Sequence, residues 1–149
     1  MNKCFKYLSL CKAITMKYFL LFVITTVIFF AIDMLWIGVI AKNFYREKLS
    51  FIFNGDVRWV PAIIFYLIFI AGIIYFVIIP GFTHHNWKTV LMNGAFLGLL
   101  CYATYDLTNM STIKQWPLIV TLVDIVWGTF LTAAVSITSY LVAIKLLHF

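Results

Sequence analysis

Residues 18–40 read YFLLFVITTVIFFAIDMLWIGVI, and this stretch decides the fold. It is longer than the ~20 apolar residues that an α-helix needs to cross a bilayer. One acid, Asp33, stands inside it. The stretch tolerates that charge: its fifteen Leu, Ile, Phe and Val residues each favour insertion by roughly 0.3–0.6 kcal/mol, against about 3 kcal/mol for a central Asp. No small-x-small cleavage site follows at once, so the sequence predicts a retained helix rather than a signal peptide.

Three further apolar runs follow, at about 61–79, 89–110 and 117–147. The chain is 64% hydrophobic and 11% charged, with a mean hydropathy of +1.04. A soluble domain of 149 residues cannot bury that much apolar surface. The expected class is therefore all-α, a polytopic membrane protein with four transmembrane helices in an antiparallel bundle. Residues 16–149 form its single domain, and residues 1–15 read as a basic N-terminal extension outside it, with Met16 as an alternative translation start. Trp59, Trp87 and Trp116 stand at span edges, as interfacial anchors do. The longest linker carries Ala41, Phe44, Tyr45, Leu49 and Ile52 at near-helical spacing. That pattern predicts a short interfacial helix stopped by Asn54-Gly55, an irregular loop being the alternative.

The net charge of +6 does not indicate nucleic acid. The basic residues flank the spans, where they meet anionic lipid head groups; the bilayer and those head groups are the expected partners, and the sequence allows a homo-oligomer. Lys and Arg divide six against five between the two sides, which leaves orientation open under the positive-inside rule. The cysteine count is odd and no CxxC pair occurs, so neither a disulfide framework nor a thiolate metal site is expected; no cofactor is expected either.

The chemistry concentrates in three acids, Asp33, Asp106 and Asp124. No Lys or Arg lies near them within the spans to neutralise them, Lys145 standing at the far end of the fourth, and intramembrane acids usually face a protein interior or a water-filled cavity. Asp33 lies seven residues before the end of the first span, Asp106 lies near the end of the third, and Asp124 lies seven residues after Pro117. In an up-down bundle all three fall within ~10 Å of the same surface at 1.5 Å rise per residue. His84, His85 and His148 belong to the opposite surface.

Each acid has companions at helical spacing: Trp36 for Asp33; Tyr102 and Asn109, with Tyr105 adjacent, for Asp106; Thr121 and Trp127 for Asp124. Carboxylates gathered in low dielectric cannot all ionise cheaply. Such a group suits proton exchange, cation binding or acid–base work. With Asn109 and Tyr105 it also offers oxygen donors of the kind a hard divalent cation takes. The bland alternative places the acids at the interface, with Asp124 favouring the start of the fourth helix through its dipole. Gly94 and Gly98 form a small-xxx-small face that predicts close helix packing. Thr132, Ser136 and Ser139 predict bonding within their helix or contact between helices.

The segments Ala31–Trp36, Asn43-Phe44-Tyr45, Gly94–Gly98, Tyr102–Asn109, Trp116-Pro117 and Thr121–Thr129 together resemble a bacterial family of small four-helix inner-membrane proteins, the domain of unknown function 2177 family. The resemblance runs from Met16 to about Ile144. It implies a four-helix fold and a multi-pass inner-membrane location, but no activity; the three acids fall inside its segments. The leading functional expectation is an acidic pocket that binds or exchanges a proton or a small polar or cationic solute. An intramembrane enzyme acting on a lipid and a non-enzymatic scaffold or assembly subunit are the alternatives.

Overall fold

The computed structural model describes residues 2–52 and 58–147, with side chains from residue 11 onward. Among these residues there are helices and no strands. The elements are α1 (Asn2–Leu35), a π-helical turn at Trp36–Ile40, α2 (Lys42–Lys48), α3 (Trp59–Ile73), a second π-helical segment at Ile74–Ile78, α4 (Ile79–His84), α5 (Trp87–Thr112) and α6 (Leu118–Leu147). Among the described residues, four helices are long and apolar enough to cross a membrane: Cys11–Ile40, Trp59–His84, Trp87–Thr112 and Leu118–Leu147.

The helix boundaries differ from expectation in instructive places. The first helix does not begin near Tyr18 but runs back to Asn2. The first Gly of the chain is Gly38 and the first Pro is Pro61, so no breaker interrupts residues 2–35. The second span does not stop at Ile79 but continues through Pro80 to His84. Proline in a helix interior lacks its N–H and crowds the carbonyl four residues back. Here the backbone one turn earlier is widened into the π segment, a recognised way to absorb such a conflict. The span then ends on His85, whose φ of 48° is the left-handed conformation common after a helix C-terminus. Asn86 opens α5 at once, its Oδ1 accepting from the Lys88 N–H at 3.0 Å.

The linker helix forms as α2 but leaves helical geometry at Leu49; Asn54-Gly55, the expected stop, lies outside the described residues. Trp59 and Trp87 are exposed at the starts of their spans. Trp116 is not an exposed anchor. It is buried with Leu49 and Val120 in a small cluster that also packs Phe44, Tyr45 and Ile113, and its Nε1 donates to Thr121 Oγ1 at 3.0 Å. This cluster fastens α2 against the start of α6.

The main core lies elsewhere, among Leu21 and Phe29 of α1, Ile70 and Ile73 of α3, Ile78, Val90 of α5, and Leu131 and Val135 of α6. Helix α6 is the hub, packing along α5 and also meeting α1 and the π segment of the second span. The α5–α6 pair is the closest. A Cβ on Gly98 would strike the Gly128 carbonyl oxygen, and one on Gly94 would lie 2.8 Å from Ser136 Oγ. Lipid tails are as apolar as leucine, so intimate backbone approach of this kind supplies much of the association energy between membrane helices.

Candidate functional site

Asp33 is 2% exposed in the last turns of α1. Its Oδ2 accepts from the Tyr66 hydroxyl at 3.0 Å and its Oδ1 from Trp127 Nε1 at 3.5 Å. One turn on, Trp36 stacks on Trp127 with ring centroids 4.3 Å apart and planes 9° from parallel. Trp36 Nε1 donates to the Tyr45 hydroxyl at 3.1 Å, and Tyr45 in turn donates to Asp124 Oδ1. Asp106, on α5, borders the same cavity as Asp124. The hydrogen-bonded network thus draws on the first, second and fourth spans and α2, and the cavity on all four spans.

These groups line a partly open cavity of ≈ 480 Å³ that contains Asp33, Asp106 and Asp124 together. Aromatic rings make up most of its wall, with Phe65, Tyr66, Tyr102 and Tyr105 joining the Trp36–Trp127 stack. Among the described residues, no Lys, Arg or His lines it. Tyr102 also seals the α5–α6 contact, since a Cβ on Gly128 would overlap its ring.

Asp106 is the most unusual of the three. It is fully buried, and among the described residues no donor reaches either of its oxygens. Two ionised carboxylates can only accept hydrogen bonds. Asp106 and Asp124, on one cavity, therefore need a proton or another cation before either can bond to the other. The carboxyls share a cavity without converging on one point: among the described residues no group of three or more His, Cys, Asp or Glu is arranged to hold a metal ion.

Two of the expected companions stand apart. Thr121 is buried against Trp116 and points its hydroxyl towards Met110 Sδ at 3.9 Å; it does not line the cavity. At 100° per residue, positions i−3 and i+3 lie on opposite flanks of position i, about 120° apart. Trp127 takes the cavity flank of Asp124, so Thr121 takes the other. Asn109 lies one turn beyond Asp106 and is also outside the cavity. Tyr105 lines the rim, 61% exposed, and meets Trp116 edge-on at 6.0 Å.

The sequence reading missed Tyr45 and Tyr66 as the partners of the acids. A signal existed for each. Tyr66 is one of only two hydroxyl-bearing residues between Pro61 and Ile79. Tyr45 belongs to the apolar periodicity of the linker helix. Burial first, and then its hydrogen bond to Asp124, push the Tyr45 phenol well above its ordinary range. It therefore serves as a hydroxyl donor at all physiological pH. Thr132, Ser136 and Ser139 are buried along α6 with hydroxyls that meet no partner among the described residues; Thr132 and Ser136 lie at the contact with Gly98 and Gly94.

The helices and their apolar surfaces define a multi-pass α-helical membrane protein. Residues 18–141 match the family described as "Predicted membrane protein (DUF2177)", and the chain belongs to that family. No curated protein and no solved structure matches the chain.

Proposed function

We propose that the chain is an inner-membrane protein whose cavity binds a small cationic or polar solute and exchanges protons on its carboxyl groups. The observation that carries this reading is that Asp106 and Asp124 border one cavity together with Asp33. Asp106 is fully buried and, among the described residues, has no donor on either oxygen and no basic side chain in the cavity wall. A buried negative charge without a partner is costly, so a cation or a proton is the species the pair would hold. The aromatic walls add favourable faces for a cation. Helical spans suit the inner (plasma) membrane, and the family resemblance implies the same address.

Carbodiimide labelling tests the proposal, because dicyclohexylcarbodiimide reacts with protonated carboxyls in apolar surroundings. In native membranes at low pH it is expected to modify at least one of the three acids, mapped by mass spectrometry. The modification is expected to weaken in Asp106→Asn or Asp124→Asn. Absence of labelling at low pH would remove the protonated carboxyl on which the reading depends.

A further inference from the structure

The cavity is closed on one side and open on another, and the asymmetry bears on what it admits. Helix α2 covers it at the end of the first span. Tyr45 is tied there to Trp36 and Asp124, and the Leu49–Trp116–Val120 cluster holds the helix down. The second span behaves differently along its length. Its later part, Ile74–His84, packs on α5 and its π segment also on α6, whereas Trp59–Ile73 packs on α1 and meets α5 little. We place the mouth of the cavity between the first half of the second span and the third span, where the exposed Phe65 and Tyr105 both line it. Phe65 stands on one lip, 50% exposed, and Tyr105 on the other. The outer surface beside the Phe65 lip carries Ile64 and Ile68, both exposed and apolar, as suits a lipid-facing portal rather than an aqueous one.

The interior supplies the second half of the argument. A volume of ≈ 480 Å³ lies within the roughly 300–1,000 Å³ of sites for organic ligands and far exceeds the need of a bare ion. Most of the wall is aromatic and apolar, and the polar exceptions are carboxylates and phenols. Asp106 borders this space, fully buried, with neither oxygen satisfied by a donor among the described residues. Aromatic faces and carboxylates attract the same ligand class, an organic cation.

We infer that the cavity admits an amphiphilic organic cation, an ammonium or phosphonium centre on an apolar body, which passes sideways from the bilayer through the mouth between Trp59–Ile73 and Trp87–Thr112. The charge would lie against Asp106 and Asp124, and the apolar body against the rings nearer the mouth. This assignment rests on the proposed cation binding and adds to it the ligand class and the route.

Cys101 lines the cavity and is half-buried, which makes it a built-in reporter. The experiment uses the full chain in lipid nanodiscs, with Cys4→Ser and Cys11→Ser leaving Cys101 as the sole thiol. Alkylation by membrane-partitioning N-phenylmaleimide is compared with alkylation by a sulfonated maleimide confined to water. The lipid-soluble reagent is expected to react at least about tenfold faster in this arrangement. Tetraphenylphosphonium is expected to protect Cys101 saturably, tetramethylammonium is not, and Asp106→Asn is expected to raise the protecting concentration about tenfold or more, the scale of one lost charge contact. A changed alkylation rate without any cation would mark a misfolded variant, for which Asp124→Asn is used instead. Equal reaction with the sulfonated reagent would overturn the lipid route. Equal protection by tetramethylammonium would overturn the amphiphilic ligand while leaving small-cation binding intact. Protection by neither cation, with carbodiimide labelling retained, would overturn this inference and leave proton exchange standing; with labelling also lost, both would fall.

Discussion

The two halves of the bundle are built on different principles. In the half around Ile78, Val90, Val135 and Ala143, buried aliphatic side chains fill the interior. Phe82 stacks on Tyr140 at 5.2 Å there, and a Cβ on Gly81 would collide with Val90. In the half around Asp33, Asp106 and Asp124, rings and carboxyls surround a cavity, and polar bonds join the close Tyr102–Gly128 contact in linking the helices. Dispersion from tight packing holds membrane helices together without help from polar groups. The acid-bearing half forgoes some of that packing and carries buried charge. Such an arrangement costs stability, and a functional site is where that cost is usually found.

Substitutions at the glycines should test the α5–α6 contact most sharply. Gly98→Val would drive a side chain into the Gly128 backbone, which cannot rotate away. We expect this variant to lose about 3 kcal/mol or more, the upper range for overpacking, read as failure to reach the folded band in detergent titration. Gly72→Ala meets nothing within 4 Å, and removing a helical glycine should be neutral or stabilise by up to about 1 kcal/mol. Equal losses at both sites would mean that the α5–α6 contact is not the structural keystone. Next in size, Leu131→Ala in the filled core should cost about 2–5 kcal/mol. Phe65→Ala on the half-exposed lip should cost less than about 1 kcal/mol, because a site so open to the surroundings leaves no enclosed void. The same unfolding titration reads both, and a larger loss at Phe65 than at Leu131 would erase the distinction between the halves.

How much of this was readable beforehand follows the same division. The four spans were legible because bilayer thickness imposes a length that sequence displays directly. Their ends were less so. The second apolar run reads as ending at about Ile79, yet a π segment carries the helix past Pro80 to His84. Trp116 reads as an interfacial anchor, yet Leu49 folds over it. At the site, Asp33, Trp36, Asp106, Tyr102, Tyr105, Asp124 and Trp127 could be grouped from topology and helical spacing. Asn109 and Thr121 could not be excluded, because spacing names neighbours on a helix without saying which flank faces inward. Tyr66 and Tyr45 escaped notice because their partners lie 33 and 79 residues away in sequence, a distance that no local pattern spans.

Tyr66→Phe sharpens the comparison on a smaller scale. It removes the 3.0 Å bond to Asp33 and keeps the ring packed against Phe29 at 5.6 Å. Hydrogen bonds between membrane helices average about 0.6 kcal/mol and reach about 1.7. We expect a loss within that range in unfolding titrations, together with stronger carbodiimide labelling of Asp33, whose carboxyl then keeps only the longer bond from Trp127. Unchanged labelling would show that Tyr66 does not shield this carboxyl.

The smallest effect should appear only in alkali. The Tyr45 phenol is raised above its ordinary value of 10.0, by burial first and by its bond to Asp124 second. A group whose folded value is raised stabilises the fold fully below its unfolded value, and the contribution fades as pH climbs through the folded one. The stability difference between the wild-type chain and Tyr45→Phe should therefore be flat from neutral pH to about 10, the ordinary phenol value, and should shrink above it. A stability difference that stayed constant well above pH 10 would place the phenol in water, and α2 would then be a surface helix rather than the closed side of the cavity.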